Sequence, residues 1–239
     1  MKTQRIIAAL GHYIIRDTQS GKVSYWQGEY HQSAADSTGV STADYIHAMY
    51  FFLLQAQAKD VLMIGCGGGT LATMLVRSGV AVTVVDLNKL SFDIARGWFR
   101  LPESVDCYIA DGIEFLKTNR RHFDAIVVDA FGKDGMAAGF TTAAFFRLAK
   151  TRLNRGGLFL MNVIVEDDDD PVPDALVRKM RKVWRGVRLL DADGWVDRNA
   201  VIAAGTVAKL KKPKVLMPPQ PGGAKLAREL DILDWRRIR

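Results

Sequence analysis

The chain has 239 residues, of which 49% are hydrophobic and 25% are charged, and these values are ordinary for a globular protein with a full core. The two cysteines, Cys66 and Cys107, have no C-x-x-C spacing, which argues against a disulfide framework and favours a reducing cytoplasm. No apolar run is long enough for a signal peptide or a membrane span, so neither a secreted nor a membrane protein is predicted.

The net charge of +7 is concentrated at the carboxyl end of the chain. Residues 206–239 hold nine basic residues against three acidic ones, which leaves 24 against 23 in residues 1–205. The prolines of this tail predict an extended arm over 211–221 that lies on the body or on a neighbouring subunit. A basic tail could contact RNA, but this tail has few aromatic residues, so a nucleic-acid partner is not the predicted one.

The amino-terminal part, residues 1–40, is predicted to form a small β domain. Strand-favouring residues fill His12–Arg16 and Lys22–Gln27, and a turn with a glycine near its end joins these two segments. A third strand is expected over Glu29–Gln32, and a loop of small and polar residues follows it.

A helix is predicted over Ala43–Gln57, with Ser41 or Thr42 as its amino-terminal cap. Apolar residues recur at helical spacing and define an inner face. These residues are Tyr45, Met49, Phe52 and Leu53.

The segment Asp60–Asp86 carries the pattern around which the rest of the chain is organised. A buried strand, a glycine turn, a helix and a second strand are predicted at Val61–Ile64, Gly65–Gly69, Thr70–Ser78 and Ala81–Val85. The second strand ends on Asp86. This β-α-β unit is typical of a doubly wound fold, in which ligands bind at the carboxyl ends of the strands.

The spacing of the glycines narrows the class of ligand. A dinucleotide fingerprint, G-x-G-x-x-G, would need a glycine where the chain has Thr70. The chain has G-x-G-x-G instead, with Gly65, Gly67 and Gly69, a form typical of nucleoside sites of the S-adenosylmethionine type. Asp86 is then predicted to accept hydrogen bonds from both ribose hydroxyls.

Strands and helices alternate from Leu90 to about Gly205. Strands are predicted at Val105–Ala110, Phe123–Val128 and Leu158–Val163, with a final antiparallel pair at Val187–Leu190 and Ala200–Ala204. Helices are predicted at Leu90–Arg100, Ile113–Thr118, Thr142–Leu153 and Asp174–Trp184. This alternation predicts an α/β, Rossmann-like domain over 41–205, with a mainly parallel sheet and helices on both faces.

Three consecutive predicted strands are each followed by an aspartate. Asp86, Asp111 and Asp129 should therefore line one edge of the sheet, above the glycine turn. Asp86 suits the ribose, and Asp111, which precedes Gly112, suits the adenine amino group. Asp129 is expected beyond the nucleoside, where the sulfonium and its transferable group would lie.

The ordered set of motifs resembles the polyamine aminopropyltransferases, the family of spermidine synthase. The resemblance rests on YHQS at 30–33, the helix with Tyr45 and His47, VLMIGCGGGTL, VVDL, ADGIEFL, FDAIVVDAFGKDG and FTTAAFFRLAKTRLNRGGLFLMNV. It implies a donor, decarboxylated S-adenosylmethionine, and an acceptor, a small diamine or polyamine. It also implies a homodimer or homotetramer, and the chemistry requires no metal.

The resemblance also implies roles for individual residues. Asp86 would bind the ribose of the donor, while Asp111 and Gly112 would lie on the adenine side. Gln32 would face the donor, and Asp129 would hold the attacking amine and take its proton. The expected substrate-side residues are Tyr45, His47 and Asp134.

The chain departs from the pattern of that family at three positions. Gly68 replaces an aspartate that would bind the aminopropyl nitrogen, Ile46 stands directly before His47 where the family has a tyrosine, and Gly132 replaces a second acid. Without the acid at position 68, nothing there would repel the carboxylate of intact S-adenosylmethionine. Two alternatives therefore stay open: a methyltransferase that uses S-adenosylmethionine on the same fold, and a nucleoside-binding protein without turnover.

Overall fold

The computed structural model describes residues 3–132 and 135–238. These residues form a small antiparallel sheet, a large central sheet and a two-stranded hairpin. Among them, no helix has the length and apolar character needed to cross a bilayer.

The amino-terminal sheet has four antiparallel strands in sequence order. The strands are β1 (Thr3–Ala9), β2 (His12–Asp17), β3 (Val23–Gln27) and β4 (Tyr30–Ala35). Ile14, Val23 and Tyr25 form its buried face and pack against Ile94 and Phe99 of the main body. A small separate hydrophobic core therefore joins this sheet to the main body.

The central sheet has eight strands. In chain order they are β5 (Asp60–Ile64), β6 (Ala81–Asp86), β7 (Asp106–Ile109), β8 (Phe123–Val128), β11 (Leu153–Val165), β12 (Val187–Asp191), β13 (Arg198–Gly205) and β14 (Asp234–Arg236). Their spatial order is β14-β12-β13-β11-β8-β5-β6-β7. The five strands from β11 to β7 are parallel, and β13 runs antiparallel to both of its neighbours. The remaining strands, β9 (Phe131–Gly132) and β10 (Gly135–Met136), form the hairpin.

Seven α-helices in the described part of the chain cover the central sheet. They are α1 (Asp44–Gln55), α2 (Thr70–Arg77), α3 (Lys89–Phe99), α4 (Gly112–Thr118), α5 (Ala143–Thr151), α6 (Val172–Arg181) and α7 (Gly223–Ile232). Buried residues of α1, α2, α3 and α7 share one core with the sheet, and those of α4, α5 and α6 share the other. Helices thus lie on both faces of a mainly parallel sheet, which confirms the predicted fold class.

Most predicted elements of the central domain lie within a few residues of the observed ones, and the strand at Phe123–Val128 matches at both ends. The predicted cap of α1 is wrong, because Ala43 occupies the cap position and no side chain caps that end. Ser41 instead accepts a hydrogen bond from the Ala43 N–H at 3.1 Å. Several observed elements were not predicted: β1, the β9–β10 hairpin, a short 3-10 helix at Ala138–Thr141, α7 and β14.

The carboxyl-terminal segment was predicted to hold an extended arm over 211–221, and the structure has no helix or strand there. Residues 206–222 contain no helix or strand, and they lie on the body, where the Gln220 N–H donates to Asp36 Oδ2 at 2.8 Å. The chain then forms α7, which packs against α1, and β14, which adds an edge strand to the central sheet. The segment is thus part of the folded body.

Candidate functional site

The parallel strands β5 to β8 deliver four chain segments to the same edge of the central sheet. The glycine turn follows β5, Asp86 ends β6, Asp111 follows β7 after one residue, and Asp129 follows β8 directly. Parallel strands have their carboxyl ends on one side, so these segments converge on the crevice where doubly wound folds bind ligands. The structure therefore brings together the residues that the strand-end pattern singles out.

Asp86 is joined to the glycine turn by a hydrogen bond. Its Oδ2 accepts the Cys66 N–H at 2.8 Å, and its Oδ1 accepts the Asn88 N–H at 2.8 Å. Burial raises the pKa of this carboxyl above its ordinary value, and the two backbone hydrogen bonds oppose that shift. Each carboxylate oxygen can accept more than one hydrogen bond, so capacity for two hydroxyl donors remains.

Asp111 is the amino-terminal cap of α4. Its Oδ1 accepts the N–H groups of Ile113 and Glu114 at 2.8 and 3.0 Å. The carboxylate is exposed, while Gly112 behind it is buried against Ile64 of β5. The capping role fixes the direction of this side chain at the sheet edge.

The turn made by Gly65, Gly67 and Gly69 approaches the end of β8 closely. Gly65 has φ +98°, a left-handed conformation that favours glycine, and a Cβ there would collide with the backbone carbonyl of Asp129. The turn is therefore packed directly against the strand end that carries Asp129.

Gln32 and Ser33 bring the amino-terminal sheet to the glycine turn. The Ser33 hydroxyl accepts the Gly68 N–H at 2.8 Å and donates to the carbonyl of Gln32 at 2.6 Å. A Cβ on Gly68 would lie 2.8 Å from Phe99 Cδ1 and 2.9 Å from the Cβ of Ser33. The space that a side chain at position 68 would need is thus filled by Phe99 and Ser33.

Asp129 is half-buried and is held by two donors from different elements. Its Oδ1 accepts Nδ2 of Asn162 at 2.8 Å, and its Oδ2 lies 3.4 Å from the Tyr45 hydroxyl. The Asn162 amide also donates to Oδ1 of Asn199 at 2.9 Å. Burial raises the pKa of the Asp129 carboxyl, while the hydrogen bonds from Asn162 and Tyr45 act in the opposite direction. Burial, and after it the negative charge of Asp129, raises the pKa of the Tyr45 hydroxyl. The phenol therefore stays protonated and donates to Asp129.

His47 does not join this group. It lies two residues after Tyr45 on α1, which turns its side chain about 200° around the helix. The ring is wholly buried, and its Nε2 lies 2.8 Å from the carbonyl oxygen of Ser41. Burial lowers its pKa, so the ring stays neutral inside the protein. The structure thus places His47 in the interior rather than at the crevice, and its contact with a substrate stays a prediction.

The second predicted acid, Asp134, lies outside the described residues. Gly132, which stands at the family's acid position, is in strand β9 close to Asp129 in sequence. Among the described residues, no group of histidines, cysteines or acids could hold a metal ion.

Sequence reasoning did not identify three polar residues that the structure places around the predicted ones: Ser33, Asn162 and Asn199. Ser33 is hard to recognise because its role depends on how two sheets meet. Asn162 carried a signal, since it is the one polar side chain in the otherwise apolar run Leu158–Val165. A buried amide in a core strand requires partners, and those partners are Asp129 and Asn199.

The fold defines the class to which the chain belongs, the Rossmann-like doubly wound α/β proteins. Residues 44–168, just over half of the chain, match the family described as the spermine/spermidine synthase domain. The chain belongs to this family.

Curated relatives of the chain include two polyamine aminopropyltransferases. The one from Chromobacterium violaceum is 37% identical over 125 residues, which cover 49% of this chain and 48% of the relative. The one from Thermococcus onnurineus is 33% identical over 117 residues, which cover 45% of this chain and 41% of the relative. An eEF1A lysine and N-terminal methyltransferase homolog of Drosophila melanogaster is 28% identical over 123 residues, covering 46% of this chain and 18% of that protein. The chain spans about half the length or less of these relatives.

Solved structures share the fold at low sequence identity. A probable spermidine synthase from Corynebacterium glutamicum superposes with a TM-score of 0.75 at 17% identity, covering 100% of this chain and 90% of that chain. Human methyltransferase-like protein 13, in complex with SAH, superposes with a TM-score of 0.55 at 18% identity, covering 79% of this chain and 87% of that chain. Both spermidine synthases and methyltransferases therefore use this fold, which is of the class I S-adenosylmethionine type.

Proposed function

We propose that this protein transfers an aminopropyl group from decarboxylated S-adenosylmethionine to a di- or polyamine. The observation that carries the proposal is Asp129, a half-buried carboxylate beside the glycine turn, held by Tyr45 and Asn162. The family membership and the named relatives support the same activity. The activity of those relatives belongs to proteins about twice as long as the matched region, so it enters here as a proposal.

The donor would lie along the sheet edge in a fixed order. Asp86 would accept the ribose hydroxyls, and Asp111 with Gly112 would lie on the adenine side. The turn Gly65–Gly69 would pass under the sugar, and Gln32 would face the propyl tail. The observed hydrogen bond between Cys66 and Asp86 supports this assignment, because it fixes the carboxylate relative to the turn before any ligand arrives.

Asp129 would act on the acceptor. An amine attacks carbon only through a free lone pair, and alkylamines are largely protonated at neutral pH. The carboxylate would hold the ammonium and accept its proton on Oδ2, the oxygen that faces Tyr45. The nitrogen then bonds to the propyl carbon next to sulfur, the carbon–sulfur bond breaks, and its electron pair leaves with the thioether methylthioadenosine.

The environment of Gly68 supports the decarboxylated donor over the intact one. A methyltransferase would have to bind the α-carboxylate of S-adenosylmethionine with backbone N–H groups at the glycine turn. The Gly68 N–H is already bonded to Ser33, and Phe99 and Ser33 fill the adjacent space. A carboxylate near Asp129 would also meet a like charge.

One specific observation supports the alternative function, a methyltransferase. The Drosophila relative is a methyltransferase homolog by name, and it aligns with about the same length of this chain as the aminopropyltransferases do. The absence of an acid at position 68 is compatible with it as well. A protein that binds a nucleoside without turnover is the third possibility.

Dissociation constants for both donors, measured by calorimetry at one pH and salt concentration, test the proposal. A like-charge contact at about 4 Å costs on the order of 4 kcal/mol at an effective dielectric of 20, so we expect the decarboxylated donor to bind several hundredfold more tightly. Equal or tighter binding of S-adenosylmethionine would favour the methyltransferase.

We also propose the cellular compartment and the oligomeric state of the enzyme. Cys66 and Cys107 are both free thiols in the structure, which fits the reducing cytoplasm that their spacing predicts. A homodimer or homotetramer follows from the resemblance to the aminopropyltransferases and is tested by the mass of the protein in solution. Nucleic acid and membrane are not among the proposed partners.

A further inference from the structure

A second concave site lies at the opposite end of the sheet from the nucleoside crevice. It is a cavity of about 430 Å³, and its walls come from the end of α6, the start of β12 and the carboxyl-terminal strand β14. Strand β12 is separated from β8 by β13 and β11. The lining residues are Arg181, Val187, Arg188, Leu189, Trp235, Arg236, Arg237 and Ile238. Nothing in the proposed transfer reaction uses this cavity.

Four of the lining residues are arginines, and two of them have unused guanidinium groups. Arg181 and Arg237 are exposed and make no hydrogen bond or ion pair with any residue that the structure describes. An arginine presents several N–H donors in a planar fork that matches the oxygens of a phosphate group. These two side chains can therefore turn towards a ligand without breaking a contact of the fold.

The other two arginines are held in place by the fold. Arg188 donates to the carbonyl of Leu210 at 2.8 Å and lies 3.6 Å from the centre of the Trp235 ring. Arg236 forms ion pairs with Asp191 at 2.8 Å and Asp174 at 3.1 Å, and its side chain is 6% exposed. Its Nε–H is buried and has no acceptor among the described residues. The cavity wall thus contains two arginines fixed by the fold, and the charge of Arg236 is balanced by Asp174 and Asp191.

The surroundings of the cavity are strongly positive. Residues 172–191 contain six basic residues and two acids, and both acids, Asp174 and Asp191, are buried and paired with Arg236. Lys182 and Arg185 are exposed next to the cavity-lining Arg181. One acid of β14, Asp234, lies near enough to oppose the lowering of the Arg188 pKa that burial causes. The local field therefore favours an anion.

We propose that this cavity binds a phosphorylated small molecule through its phosphate oxygens. Its volume lies in the range of pockets for small organic ligands and exceeds what a single phosphate ion would fill. The Trp235 ring already stacks with Phe52 and contacts the Arg188 guanidinium, so it is engaged in contacts of the fold. Phosphate groups, rather than a stacked base, are the recognised part of the ligand.

Tripolyphosphate is the probe that tests this site. It has no nucleoside, so it lacks the groups that the Asp86 crevice is proposed to bind. The protein is titrated by calorimetry at constant, near-physiological ionic strength. We expect saturable binding at one site, unchanged when methylthioadenosine is present at saturation. The double variant Arg181→Gln/Arg237→Gln should lower the affinity at least about tenfold, because it removes two guanidinium groups that can donate charge-assisted hydrogen bonds to phosphate.

The matched control is Arg147→Gln/Arg155→Gln, which removes the same charge from exposed residues outside the cavity. It should bind tripolyphosphate nearly as well as the unmodified protein. Equal losses in the two double variants would mean that only the general positive field attracts the probe, and the proposed site would be rejected. Absence of saturable binding up to millimolar probe would also reject it. Circular dichroism of both variants checks that they fold.

Discussion

At the residue scale, the proposed nucleoside site depends first on Asp86. Asp86→Ala should weaken methylthioadenosine binding, because the ribose hydroxyls would lose their charged acceptor, and such a loss costs roughly 1.5–3 kcal/mol. The substitution also releases the Cys66 N–H that holds the glycine turn. Calorimetry measures the change, with Asp93→Ala as the control, since Asp93 is an exposed acid on α3 paired with Lys89. Unchanged affinity in the Asp86 variant would remove it from the site.

Asp129 should show a conflict between stability and activity. We expect Asp129→Asn to fold, to bind methylthioadenosine and to lose transfer, because the amide cannot accept the proton of the amine. Near-normal turnover would exclude Asp129 as the base.

The same variant should be more stable near neutral pH. Burial raises the folded-state pKa of Asp129, so the folded protein binds its proton more tightly than the unfolded chain does. Stability therefore falls as pH rises through the raised pKa, and the cost of the buried charge persists above it. Urea unfolding should give the Asp129→Asn variant a higher midpoint at neutral pH and a smaller advantage at acidic pH. A lower midpoint at neutral pH would contradict the assigned cause.

Asn162 provides a pH-dependent test. Its amide donates to Oδ1 of Asp129 and helps to keep the carboxylate ionised. The Tyr45 hydroxyl faces the other oxygen of Asp129, and Asp44, the residue before Tyr45 on α1, is a further charged group that acts on Tyr45. In Asn162→Leu, we expect the acidic limb of the kcat/KM profile to move to higher pH. A fall in rate with an unmoved limb would indicate a packing role only.

At the scale of elements, α7 anchors the carboxyl-terminal segment. Leu230 is 1% exposed and packs in the core that includes α1, whereas Ile232 on the same helix is 47% exposed. Leu230→Ala should lower the free energy of unfolding by about 2–5 kcal/mol, as core truncations do. Ile232→Ala should change it by much less, and equal effects in urea titrations would show that α7 is not docked as described.

The central elements were predictable because their signals are local. An apolar run of strand length followed by glycines and an amphipathic segment predicts β5, its turn and α2 without any tertiary information. Strand-end aspartates then indicate the binding edge, because parallel strands share one direction. Asp86, Asp111 and Asp129 all lie at this edge for that reason.

The missed elements depend on long-range contacts. Strand β14 has three residues and exists because it pairs with β12, about 45 positions earlier in the chain. Helix α7 follows the arm predicted over 211–221, and no element was predicted at its position. His47 was assigned to the pocket by motif, and only the helical rotation relative to Tyr45 shows that it faces the interior.

At the scale of the whole molecule, the positive charge of the carboxyl-terminal segment is partly built into the fold. Arg236 joins β14 to Asp174 of α6 and Asp191 of β12, and Arg198 of β13 bonds the same Asp191. Removing one member of a buried charge network leaves an uncompensated partner, so this segment is held to the body electrostatically as well as by apolar packing. The tail is therefore not a free basic arm.

Product analysis after mixing the protein with decarboxylated S-adenosylmethionine and a diamine tests the central claim most directly. Mass spectrometry should detect methylthioadenosine and the aminopropylated amine in equal amounts, and neither should form with the Asp129→Asn variant. Methylated product from S-adenosylmethionine, or no transfer from the decarboxylated donor to any di- or polyamine while methylthioadenosine still binds, would contradict the account.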